Sequence, residues 1–258
     1  PQQSEITSFS CPGLGQFEWV QAPHHLAGAE ATFHRLLDAT VGDLPGAIPH
    51  INRIIIHSAT MEEHLLRLQK VLQRLRNRHL TINLLDSTFA TDQAKVMGFR
   101  LHKGTIAILP DQTKALANCE VPTSTMMIKS FLGLTNFFRG HIRDYANLSA
   151  PLNQLVRTGS GYKGGPMPDD AIQAFYKLRT ALLSDPVLTL PRPDRQFAVI
   201  VDAATGSETT QGGLGAILAQ LDHQGRFHAI CYASRRLNKK ETQYSPFLLE
   251  MAAAVWAI

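Results

Sequence analysis

The chain has 258 residues, 44% hydrophobic and 18% charged, a globular composition with apolar material for one large domain or two modest ones. It contains no run of about 18 apolar residues, so no membrane partner is expected, and the polar start PQQSEITSFS carries no signal-peptide core. The formal net charge of +4 permits a nucleic-acid partner without demanding one.

Cys11, Cys119 and Cys231 lie far apart with no CxxC spacing. That argues against a disulfide framework or a zinc finger and for a reducing, intracellular location, cytoplasmic or nuclear.

Along the chain, Phe17 to Val20 predicts a short strand and Ala29 to Ala39 a helix. Ala47 to His57 reads as a β-hairpin with its tip near Asn52. Thr60-Met61-Glu62-Glu63 is a capping box that starts a helix. Leu65, Leu68, Leu72 and Leu75 follow at 3-4-3 spacing and predict its buried stripe. Arg67, Lys70, Arg74 and Arg78 fall on another face, and residues 61–79 carry a net charge of +3. That face reads either as solvated or as a stripe aimed at phosphates.

Residues 96–108 predict a hairpin with Gly104 in its turn, and 124–142 and 144–157 predict helices. TGSGYKGGPMPDD, residues 158–170, reads as a Gly/Pro-rich linker, and Asp169 opens a helix to about Leu183. Beyond Pro191 the order is βββα. Phe197 to Val201 is a buried strand ending at Asp202, and Leu214 to Gln220 and Phe227 to Ala233 are strands joined by the turn 222–225. Ser245 to Ile258 is an apolar helix.

KSFLGLTNFFRGHI (129–142) and SAPLNQL (149–155) resemble the Pol polyprotein of gypsy-type LTR retrotransposons. Further matches follow in that family's order. Phe17-Glu18-Trp19 resembles the strand before its motif B, AEATFHRLLD (29–38) the helix after it, and Val96-Met97-Gly98-Phe99 its primer-grip hairpin. Val201-Asp202-Ala203, GLGAIL (213–218), Tyr232-Ala233-Ser234-Arg235 and Glu241-Thr242-Gln243-Tyr244 resemble the opening of its RNase H domain.

The resemblance implies an α+β fold. Residues 1–110 would form a partial reverse transcriptase palm, and 111–190 a helical thumb or connection with the linker. Residues 191–258 would form the N-terminal part of an RNase H-like domain, a truncated βββα unit.

The departures from the family are chemical. Its polymerase holds two Mg²⁺ ions partly through a YxDD turn. The matching residues here are His50, Ile51, Asn52 and Arg53. Asn52 offers one neutral oxygen, and Arg53 puts a permanent positive charge where a cation would sit. His25 stands at the motif B glycine, and Asp86-Ser87 replaces an expected Lys-Cys pair. The polymerase site is therefore expected to be inactive.

In the RNase H part, Asp202 and Glu250 match two catalytic carboxylates, and both are candidate ligands for weakly held Mg²⁺. The family's other two carboxylates lie on later elements, so no cleavage by this chain is expected. Phe247, Leu248, Met251 and Val255 are expected to be exposed, inviting a protein partner or the missing C-terminal RNase H half.

Binding of an RNA–DNA hybrid or duplex would fall to Arg67, Lys70, Arg74, Arg78, Arg139, Arg143 and Arg157. The alternative is a non-enzymatic scaffold or protein-interaction module. His24, His25, His50, His57 and His64 lack a ligand spacing and are read as scattered histidines. Gly212 to Gly215 lacks the Lys-Ser/Thr ending of a phosphate loop. Phe131, Phe137 and Phe138 are read as core in preference to a base-stacking platform.

Overall fold

The computed structural model describes residues 7–20, 23, 26–184, 187–206 and 212–258. The expectations for His24 and His25 lie outside the described residues. The chain divides into two units, Pro1–Thr91 and Asp92–Ile258.

The first unit opens with a small hairpin, β1 (Phe9–Cys11) paired antiparallel with β2 (Gly15–Phe17). The strand expected at Phe17 to Val20 is thus displaced toward the N-terminus. Gly13 and Gly15 both take positive φ in the turn and draw the pairing there. Helix α1 (Ala29–Val41) follows, and then the hairpin β3 (Ala47–His50) and β4 (Arg53–Ile56) with Ile51 and Asn52 at its tip. Pro49 is tolerated in β3 because the sheet has only two strands, so its ring can face an unpaired edge.

Helix α2 (Met61–Asn77) has the expected start. Thr60 Oγ1 accepts from the Glu63 amide at 3.3 Å, and Glu63 reaches back to the Ala59 amide at 3.1 Å. Its buried stripe differs from the expected one. Val71 and Leu75 are buried, while Leu65 is 56% and Leu72 39% exposed. Val71 and Leu75 join Leu37, Val41 and Ala47 in this unit's core. Leu37, Val41 and Ala47 meet α2 on its Val71–Leu75 side, where Arg67 and Arg74 are also bonded to neighbouring backbone, and this leaves Leu65 and Leu72 outside the core.

In the second unit β5 (Gln93–Val96), β6 (Phe99–His102) and β7 (Thr105–Ile108) form two successive hairpins. Their tips, Met97-Gly98 and Lys103-Gly104, have positive φ at both central residues, the twist-matched turn of tight hairpins. The expected hairpin at 96–108 therefore sits inside a larger sheet, closed by β8 (Leu188–Thr189) against β7.

Four helical segments build the main core: α3 (Pro110–Ala117), α4 (Thr125–Phe137), α6 (Ala150–Val156) and α7 (Asp169–Leu183). A single 3-10 turn, Arg139–His141, ends the helix expected at 124–142. The helix expected at 144–157 is split into α5 (Tyr145–Leu148) and α6, because Pro151 cannot donate into a continuing helix and sits in the first turn of α6. Ile128, Phe131, Phe138, Leu152, Phe175 and Leu178 are packed together. Phe131 and Phe138 are core as expected, whereas Phe137 is 52% exposed. Truncating a fully buried ring such as Phe175 to alanine costs about 3–5 kcal/mol. The linker-like stretch is irregular but packed: Met167 is buried in this core, and Gly165 donates to Thr123 O at 2.7 Å.

The last segment is an antiparallel meander, β9 (Phe197–Ala204), β10 (Gly213–Leu221) and β11 (Phe227–Arg236), followed by α8 (Pro246–Ala257). The strand order β11-β10-β9 leaves β9 at an edge. β9 is not the buried strand expected: Phe197 is 51% and Ile200 40% exposed, because the cluster under α8 takes only Val201 and Ala203 from this strand. Ser245 caps α8 by accepting from the Leu248 amide. Leu249 and Ala253 pack on Leu214, Val201 and Ala203, so α8 covers one sheet face. Side chains alternate along a strand. Ser234 and Asp202 therefore share the other face, where Ser234 Oγ accepts from the Ala146 amide of α5 at 2.9 Å.

Candidate hairpin tip, basic helix and carboxylate corner

The β3–β4 register pairs His50 with Arg53 and leaves Ile51 and Asn52 in the turn. Ile51 has φ 52, a conformation that a β-branched residue rarely takes. Its amide donates to His34 Nδ1 on α1 at 3.1 Å. The rings of His34 and His50 meet edge-on at 6.1 Å, and His50 Nε2 is buried with no hydrogen-bond partner among the described residues. Asn52 and Arg53 are exposed. The tip thus presents one amide and one guanidinium and no carboxylate.

The four basic positions expected on α2 have different surroundings. Arg67 donates to His57 O and pairs with Glu63. Gly46 leaves the room this needs, since a Cβ there would run into the guanidinium. Arg74 donates to Thr40 O at 3.2 Å and pairs with Asp43 at 2.9 Å. Lys70 and Arg78 point to solvent. Half of the basic stripe is therefore occupied with holding α2 to the rest of its unit. Arg139, Arg143 and Arg157 are exposed around the 3-10 turn and the end of α6.

Asp202 lies inside β9, opposite Gly215 of β10. Glu250 sits on α8, and its Oε1 accepts from the backbone amide of Ala203, the residue after Asp202, at 3.3 Å, while the Asp202 side chain lies on the sheet face turned toward α5. The oxygen donors suit a hard cation such as Mg²⁺. No group of three or more His, Cys, Asp or Glu that could hold a metal ion occurs among the described residues. Asp202 and Glu250 supply two carboxylates and fall short of a cage.

Asp144, which sequence reasoning missed, belongs beside this corner. Partial burial pushes its carboxyl up, against the Asn147 hydrogen bond and the Arg143 charge, and the Asp202 charge pushes it further. A Cβ on Gly213 would approach the Asn147 amide at 3.1 Å, so this glycine lets α5 lie close to the sheet. No local signal marks Asp144, because only the tertiary packing of α5 brings it to Asp202.

The corner has its own structural brace. Arg235 makes two 2.7 Å bonds to Glu241 and stacks over Trp256 of α8 at 5.4 Å. The Arg235 hydrogen bond is the largest cause holding the Glu241 carboxyl down to about 2, with the Asn238 amide next. His141, packed flat on Phe99, is pushed below the usual imidazole range by burial.

A βββα unit with an aspartate on its first strand and a glutamate on its helix is an arrangement of RNase H type. Residues 167–258 match the family model of the RNase H-like domain found in reverse transcriptase. Over its whole length the chain is similar to retrotransposon Pol polyproteins. It is 31% identical, across 100% of the chain and 26% of the relative, to the retrovirus-related Pol polyprotein from transposon opus of Drosophila melanogaster. It is 29% identical, across 98% of the chain and 24% of the relative, to that from transposon gypsy of the same organism. It therefore spans about a quarter of the length of these relatives.

The fold is also that of a foamy viral protease–reverse transcriptase solved with double-stranded DNA. The TM-score is 0.85 and the identity 20%, over 99% of this chain and 43% of that one. A second foamy viral structure, with an RNA/DNA hybrid, matches 99% of this chain and 33% of that one at a TM-score of 0.82 and 20% identity. The gypsy-type resemblance read from the sequence holds, and so does the α+β architecture of reverse transcriptase and RNase H type. None of the described helices is long and apolar enough to cross a membrane.

Proposed function

We propose that this reverse transcriptase/RNase H-like chain binds an RNA–DNA hybrid or duplex and neither extends nor cleaves it. The observation that carries the reading is the hairpin tip, which presents Asn52 and Arg53 and no carboxylate, where the resemblance to the family would align the metal-binding carboxylates of a polymerase. Exposed Lys70, Arg78, Arg139, Arg143 and Arg157 supply phosphate-facing charge, with Arg67 and Arg74 as structural neighbours. The likeness to reverse transcriptases solved with double-stranded DNA and with a hybrid supports the same ligand class. Asp202 and Glu250 would hold Mg²⁺ weakly, because two carboxylates do not fix a two-metal geometry.

The test is a hybrid-binding titration at two salt concentrations with Mg²⁺, nucleotides added, and the products run on a gel. Binding that weakens steeply with salt, with neither extension nor cleavage, is the expected result. Absence of binding at both salts removes the nucleic-acid reading. Primer extension overturns the inactive hairpin, and cleavage abolished by Asp202→Asn overturns the inactive carboxylate corner.

A second reading is a protein-interaction module. It is favoured by the apolar outer face of α8, where Phe247 is 73% and Val255 77% exposed, with Leu248 and Met251 beside them. Binding to a protein with no affinity for duplex would support this reading over the first.

A further inference from the structure

We propose that His34 is a proton-sensitive latch on the tip of the β3–β4 hairpin. The latch is independent of whether the chain binds nucleic acid. It rests on one long-range contact, the Ile51 amide donating to His34 Nδ1 at 3.1 Å across 17 residues of sequence.

Two further observations give that contact a consequence. Ile51 is held at φ 52, so the turn sits in a conformation its own residue disfavours and depends on outside support. His50, the residue before it, faces the His34 ring edge-on at 6.1 Å and has a buried Nε2 without a partner among the described residues.

An imidazole nitrogen accepts a hydrogen bond only while it is unprotonated. Imidazole is also the side chain whose ordinary charge change falls between about pH 5 and 8. Protonation of His34 replaces the acceptor with an N–H that points at the Ile51 N–H. The latch opens, and the strained Ile51 turn loses that support.

The charged and titratable groups around His34 come from three elements. On α1, Glu30 and Asp38 lie one helical turn to either side, and Arg35 is adjacent and bonded to Thr32. The hairpin contributes His50 and Arg53, cross-strand partners at the tip. From α2 comes Arg74, which is bonded to Thr40 O and Asp43 beyond the far end of α1.

The test is hydrogen exchange of the Ile51 amide in the full chain, corrected for intrinsic rate, at pH 7.5 and pH 5.5. The Val71 amide serves as a reference for the stability of the same unit. His34→Asn places a non-titrating oxygen close to where Nδ1 stood. The wild type should lose Ile51 protection by about tenfold or more at the lower pH while Val71 changes little. In His34→Asn, Ile51 protection should stay level.

A flat wild-type profile overturns the latch, and so does an equal loss in His34→Asn or a parallel loss at Val71. If His34→Asn fails to fold, the wild type still decides through NMR. The Ile51 amide shift and the His34 ring nitrogens must titrate together, and separate midpoints overturn the proposal.

Discussion

The tip of the β3–β4 hairpin and the β9–α8 corner both set polar side chains on strands at the margin of a small antiparallel sheet, yet they carry opposite charge. The tip has His50, Asn52 and Arg53, and the corner has Asp202, Glu250 and, from α5, Asp144. Backbone geometry and metal chemistry have separate requirements. The tip keeps its tight turn through the His34 bond whatever its side chains coordinate, because the bond is made by a backbone amide. The corner depends on side chains directly, since Glu250 both accepts the Ala203 amide and supplies a carboxylate.

The largest effect should come from reversing the charge of the tip. Asn52→Asp with Arg53→Asp replaces a neutral group and a cation by two carboxylates on an unchanged hairpin. Two charges about 4 Å apart interact by about 4 kcal/mol at an effective dielectric of 20, and solvent at an exposed tip discounts this heavily. The double variant should bind Mn²⁺ at the tip about 10- to 100-fold more tightly than the wild type, read from paramagnetic broadening of amides around Ile51. Equal broadening in both proteins would mean that the tip geometry is not competent for a cation even with the right ligands.

The brace of the corner comes next. Glu241→Gln removes the charge from a two-bond pair with Arg235, and hydrogen bonds to charged groups contribute roughly 1.5–3 kcal/mol. The variant should lower the urea midpoint of the second unit by a corresponding amount and leave the first unit unchanged. The wild-type pH profile follows from the carboxyl held down to about 2. The pair's contribution is complete above the ordinary carboxylate value of about 4.3 and is lost as pH falls from there through about 2. A urea midpoint in Glu241→Gln that equals the wild type at pH 7 would show the pair to be no brace.

His141 titrates in the other direction. Burial depresses its imidazole, so the unfolded chain takes up the proton first. Stability is lost as pH falls below the ordinary histidine value of about 6.5 and levels off only below the folded one. His141→Phe keeps a ring on Phe99 and removes a buried Nε2 with no hydrogen-bond partner among the described residues. Thermal melts of the variant should show a flatter dependence between pH 7 and 5 than the wild type, and an unchanged slope would assign that dependence to another group.

Much of this arrangement is legible in the sequence where one local signal decides the outcome. The β3–β4 hairpin follows from two apolar runs around a polar tip, α8 from a serine cap and a proline in the first turn, and α7 from paired aspartates before an apolar period. Elsewhere tertiary contacts decide. The two-residue strand β8 exists because Leu188 pairs with Ile106, and much of β9 is exposed because α8 covers only its Val201–Ala203 end. The regular spacing of Leu65, Leu68, Leu72 and Leu75 marks one stripe, and packing of Val71 and Leu75 on Leu37, Val41 and Ala47 turns the buried face away from Leu65 and Leu72. Asp144 and His34 gain their roles from residues distant in sequence, so no window along the chain marks them.

The smallest effect separates the two kinds of arginine and lysine on α2. Each phosphate contact contributes about 0.9 to the slope of log affinity against log salt on duplex DNA. Lys70 is exposed and makes no ion pair among the described residues, so Lys70→Ala should reduce the slope by about 1 and leave the melting temperature unchanged. Arg67 is bonded to His57 O and Glu63, so Arg67→Ala should leave the slope unchanged and lower the melting temperature of the first unit. If both variants shift the slope equally, the bonds of Arg67 do not keep it from phosphate, and the whole face of α2 acts as one electrostatic surface. If neither does, the duplex is held by Arg139, Arg143 and Arg157 in the second unit, and the basic helix is only a support for the hairpin.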